Sequence, residues 1–80
     1  MQIGEVIKNR ILELCDKRNF TVNKLCDMSG VTQSTVNNLI SGRNKSMTIS
    51  TVKKLCDGLE ITLGEFFSTP EFDALEQEIQ

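Results

Sequence analysis

Apolar residues recur at helical spacing along most of the chain. Ile3, Val6, Ile7, Ile11, Leu14 and Cys15 share one face of a helix over residues 3–18, with Glu5, Lys8, Glu13 and Lys17 mainly off that face. Asn19 is a helix stop, and Phe20 is the apolar residue just before the next N-cap. Thr21 caps a second, short helix running to Met28, with Leu25 and Cys26 inward. Ser29-Gly30 signals a turn, and Thr32 caps a third helix, Gln33–Ser41, that buries Val36, Leu39 and Ile40. Gly42 is a natural residue just past its end. After a polar loop, residues 42–47, Thr48 caps a fourth helix over 49–58 with Ile49, Val52, Leu55 and Cys56 inward. Thr62-Leu63-Gly64-Glu65 has capping-box spacing and opens a fifth helix ending near Phe67. Pro70 starts a sixth, with Phe72, Leu75 and Ile79 at i, i+3 and i+7. No strand alternation appears, so the pattern predicts an all-α fold of five helices plus a short C-terminal sixth.

Length and charge refine this picture. Eighty residues hold one core, and 39% hydrophobic with 25% charged residues is the composition of an ordinary globular domain. The pattern divides the chain into a helical domain over 1–67 and a tail over 68–80. A net charge of −2 argues weakly against a nucleic-acid partner, but it hides a division. Residues 1–59 carry all nine bases and five acids, net +4, whereas residues 60–80 carry six acids and no base, net −6.

Several function classes are disfavoured. The absence of histidine removes the usual general base and the commonest metal ligand, so no enzyme, cofactor or metal site is expected. No apolar run approaches the length of a membrane span, and Met1–Glu5 lacks the start of a signal peptide. Three cysteines without a paired spacing fit a reducing cytoplasm. Each sits in a Leu-Cys-Asp context, at Cys15, Cys26 and Cys56. They read as small buried apolar residues, with a thiol sensor or a three-thiolate metal site as the alternative.

The third helix is unusual in what it exposes. Gln33, Ser34, Thr35, Asn37, Asn38 and Ser41 point outward, all neutral and all able to donate and accept. A surface helix without a partner carries Glu and Lys more often, because they form helix well. Gln and Asn can bond adenine N6 and N7, and the Thr methyl can meet the thymine methyl. Gly30 can adopt the positive φ that sets two short helices at a steep angle, with Val31 tucked between them.

These features together make residues 3–67 resemble the Cro/C1-type helix-turn-helix domains of phage and bacterial repressors. The match runs through Phe20-Thr21, Leu25-Cys26, Gly30-Val31-Thr32, Ser34-Thr35-Val36, Leu39, Ser41-Gly42-Arg43, Thr48-Ile49, Leu55-Cys56, Leu59 and Leu63–Phe67. The resemblance implies a five-helix lambda-repressor-like fold that binds double-stranded DNA. It implies that Gln33 and Ser34 contact bases, with Asn37 and Asn38 facing the same groove one turn later. It implies backbone contacts from Arg43, Asn44 and Lys45, from Thr35, and from the helix N-termini at Thr21 and Thr48. Three positions depart from the family pattern. Val22 replaces a common Gln that braces the first recognition residue; Cys15 and Ile40 replace an Arg–Glu pair; Glu60 replaces a Gly, implying a different turn before the fifth helix.

The expected function is a cytoplasmic transcriptional regulator, most simply a repressor, that binds a pseudo-palindromic operator as a homodimer. Phe66, Phe67, Phe72, Leu75 and Ile79 are its dimer-interface candidates. The alternative is an antitoxin-like interaction module whose acidic tail binds a partner protein. No membrane or small-molecule partner is expected.

Overall fold

The computed structural model describes residues 2–79. Six helices follow in order: α1 (Ile3–Arg18), α2 (Val22–Ser29), α3 (Gln33–Ile40), α4 (Ile49–Leu59), α5 (Leu63–Phe67) and α6 (Pro70–Asp73). No strand occurs among the described residues. Each boundary has a local cause. Asn19 ends α1 in a left-handed conformation, φ 59°, so that Phe20 N–H reaches back to the Cys15 carbonyl at 3.1 Å. Thr21 Oγ1 accepts from Lys24 N–H at 3.1 Å and so caps α2. Thr48 Oγ1 caps α4 by accepting from Thr51 N–H at 3.2 Å. At α5 both halves of the capping box form: Glu65 N–H donates to Thr62 Oγ1, and Thr62 N–H donates to Glu65 Oε1, each at 3.0 Å.

One core joins the helices. Ile7, Ile11, Leu14 and Cys15 of α1 meet Leu25 and Cys26 of α2, Val36 and Leu39 of α3, Val52, Leu55, Cys56 and Leu59 of α4, and Phe66 of α5. The helix α2 lies at the centre, against α1, α3 and α4. All three cysteines are free and buried. Burial pushes each thiol pKa upward, with Cys26, Asp27 and Asp57 adding to the effect at Cys15, Cys26 and Cys56 respectively. A buried thiol held in its protonated form is a packing group and a poor nucleophile. Among the described residues the cysteines join no cluster able to hold a metal.

Two expectations from the apolar pattern are corrected. Ile49 was expected inward, yet it is 63% exposed. It is the first residue of α4, and helical side chains lean toward the N-terminus, so Ile49 leans off the end of the core that Val52 enters. The sixth helix is only four residues long and ends before Leu75. Leu75 and Ile79 therefore do not continue a helical face with Phe72. Glu71, Asp73, Glu76 and Glu78 crowd the same short stretch, and like charges there oppose a helix too short to sustain itself. Phe72 instead packs on α5, with ring centroids 4.9 Å from Phe67 and 6.1 Å from Phe66.

Candidate nucleic-acid interface

The turn between α2 and α3 begins at Gly30, with φ 69°, and Val31 N–H closes it on the Cys26 carbonyl at 3.1 Å. Val31 is partly buried against the core, as expected of a residue tucked between the two helices. Thr32 opens α3 with extended backbone, but its hydroxyl makes no cap bond. It pairs with the Thr35 hydroxyl at 2.7 Å, and Ser34 Oγ approaches it at 3.5 Å. Thr32 is thus an N-cap in backbone only. Its side chain holds Thr35, which is half-buried, close to the start of the helix.

Val36 and Leu39 anchor α3, at 0% and 3% exposure. On the opposite side Gln33, Ser34 and Asn37 are exposed and Asn38 is half-buried. At 3.6 residues per turn these four form one continuous outward strip. The strip carries no charge. The loop after α3 turns through Gly42, φ 85°, into exposed Arg43, Asn44 and Lys45. Lys45 is held against α1: a Cβ placed on Gly4 would come within 2.1 Å of the Lys45 carbonyl oxygen. Only glycine at position 4 permits that approach, which no local sequence pattern signals. Gly4, Glu5 and Lys8 of α1 and Leu39–Gly42, Asn44 and Lys45 line the groove between them.

A short polar helix after a tight turn, set on a five-helix core, is the arrangement of a DNA-reading domain. The family model of the Cro/C1-type helix-turn-helix DNA-binding domain matches residues 10–71. The chain belongs to this family. Its fold is similar to the crystal structure of prophage Lp1 protein 11, with a TM-score of 0.83 and 36% identity over 94% of this chain and 100% of that one. No curated protein matches the sequence.

Each of the three positions that depart from the Cro/C1 pattern has its own place in the structure. Val22 packs its side chain against the core, so it cannot brace Gln33. Cys15 is buried and Ile40 is packed against the same core cluster, so an apolar contact region stands where the family often has an ion pair. Glu60 does not alter the turn. It adopts the left-handed conformation itself, φ 59° and ψ 41°, and Ile61 N–H still reaches the Cys56 carbonyl at 3.0 Å.

One of the nine basic residues has a structural task inside the domain. Arg10 donates from Nε to the Phe66 carbonyl at 2.8 Å and from Nη2 to the Glu65 carbonyl at 2.7 Å. Its Nη1 also pairs with Glu13. The guanidinium ties the end of α5 to α1, so Arg10 is committed inside the domain. Among the dimer candidates, Phe66 has no exposed surface and belongs to the core; this corrects its assignment to an interface. Phe67, Phe72 and Leu75 are half-buried, and Ile79 is 83% exposed. Among the described residues no helix is long and apolar enough to cross a membrane.

Proposed function

We propose that this Cro/C1-type domain is a cytoplasmic, sequence-specific repressor that occupies a pseudo-palindromic operator as a homodimer. The observation that carries the reading is the uncharged donor–acceptor strip on α3, backed by an apolar anchor. In this reading Gln33, Ser34, Asn37 and Asn38 contact base edges in the major groove. Lys45, Asn44, Arg43, Thr35 and the capped N-termini at Thr21 and Thr48 contact the phosphate backbone. The hydroxyls of Thr21 and Thr48 are taken up by caps, so their part falls to backbone N–H groups at the two helix starts. A single domain of this size makes few contacts, and two half-sites one helical turn apart double them. The end of α5 and residues 68–79 supply the second-copy contact, through Ile79 and the half-buried Phe67, Phe72 and Leu75.

Site selection from randomised duplexes tests the reading, and a two-fold symmetric consensus is expected. Gln33→Ala should weaken binding to that consensus by about 1–3 kcal/mol and leave non-specific binding in place. Lys45→Ala should weaken every duplex alike and reduce the slope of log affinity against log salt by about one. If neither substitution changes binding to any duplex, α3 is not the reading element.

A further inference from the structure

Asn38, near the end of α3, makes three hydrogen bonds to the segment that follows the helix. Its main-chain carbonyl accepts from Asn44 N–H at 3.1 Å and from Ser41 Oγ at 3.2 Å. Its side-chain oxygen Oδ1 accepts from Arg43 Nη1 at 3.4 Å. The turn at Gly42 brings the chain back over the helix. At φ 85°, with no atom within 4 Å of where a Cβ would stand, Gly42 is required for its backbone conformation and not for space. Arg43 is thereby set beside Asn38, five residues earlier in the chain.

We propose that Arg43 is a positioning residue for base selection, which fixes the amide of Asn38 so that only its NH2 group faces the DNA. This rests on the reading of α3 as the element in the major groove. An amide free to turn presents both an acceptor and a donor, the pair that matches N6 and N7 of adenine. With Oδ1 turned toward the guanidinium, which takes one of its two lone pairs, the NH2 group is the part of the amide left facing the base. Guanine N7 and O6, thymine O4 and adenine N7 all accept from a lone donor, but the N6–H of adenine then meets no acceptor, so adenine loses its advantage. Arg43 keeps its positive charge toward the phosphates, but its distinctive effect is on which base Asn38 accepts.

The experiment is site selection followed by titration of duplexes varied at each selected position, with the wild-type chain, Arg43→Met, Asn38→Ala and the double variant. Wild-type selects guanine or thymine at the position where Asn38→Ala relaxes preference. Arg43→Met moves that same position toward adenine by about tenfold relative to wild-type, because the amide is released. In the Asn38→Ala background Arg43→Met causes no further change in preference at any base. Loss of one phosphate contact gives a different result: weaker binding to every sequence, a lower salt slope and an unchanged preference. That uniform loss overturns the proposal while leaving the reading of α3 intact. A wild-type chain that selects no sequence at all overturns both.

Discussion

Glu60 holds a backbone conformation that its side chain opposes. Left-handed φ and ψ cost an L-residue about 1–2 kcal/mol, and Glu has no local hydrogen bond to offset this. It also places a negative charge at the carbonyl end of α4, where the helix dipole disfavours it. Asn19 occupies nearly the same φ, 59°, at the end of α1, but Asn tolerates that region well. Glu60→Gly should therefore raise stability by about 0.5–1 kcal/mol, net of the greater freedom of glycine in the unfolded chain. Asn19→Gly should gain less. Urea midpoints of the two variants check this, and Glu60→Gln separates the charge from the backbone effect. An equal response at both positions would show that strain at Glu60 is not the cause. The departure at position 60 was visible in the sequence, but its consequence was not. A residue type can forecast either a changed turn or a strained one, and only the Ile61 to Cys56 hydrogen bond decides between them.

At the scale of elements, α5 has five residues and little stability of its own. The capping box holds its start, Phe66 anchors its middle, and Arg10 holds the carbonyls at its end. Arg10 has a side chain only 13% exposed, and its bond to the Phe66 carbonyl is partly shielded from water. Arg10→Met keeps the apolar stem and removes the donors. A loss of about 1.5–3 kcal/mol is expected, the range for hydrogen bonds from a charged group. Arg10→Lys should not restore it, since an ammonium lacks the fork that reaches both carbonyls. Chemical denaturation measures both variants, and full rescue by Lys would mean that charge alone matters. The helices were legible because their signals are local: caps at Thr21, Thr48 and Thr62, apolar spacing, and stops at Asn19 and Gly42. The outward polar side of α3 was legible for the same reason, since Gln33, Ser34, Asn37 and Asn38 stand opposite Val36 and Leu39 by periodicity, whereas a part in reading bases came only from the family resemblance. The Arg10 tie was not, because it spans 55 and 56 residues of sequence and involves main-chain atoms. Gly4 was missed likewise, because its neighbour, the Lys45 carbonyl, is brought in by the fold.

Across the whole molecule, charge and shape oppose each other in the C-terminal segment. Gly4, Glu5 and Lys8 of α1 face the Ser41–Lys45 loop, whereas Val6, Asn9, Arg10 and Glu13 face Thr69 and Glu71. With 3.6 residues per turn these are different faces of α1, so the acidic segment begins away from the loop assigned to phosphate contact. Such a layout limits repulsion between the tail and DNA. It also means that a dimer built on Ile79 and its half-buried neighbours brings together two tails that each carry four acids and no base over residues 68–80. Their mutual repulsion is screened by salt, and the apolar contact is not. Self-association through the tail should therefore strengthen as salt is raised, while DNA binding by each domain weakens over the same range. Sedimentation equilibrium at low and high ionic strength checks the first effect. Ile79→Asp should lower the dimer fraction at both without changing the thermal midpoint of the monomer, since Ile79 is 83% exposed. A dimer that dissociates as salt rises would point instead to an interface made by opposite charges, pairing the basic body of one copy with the acidic tail of the other.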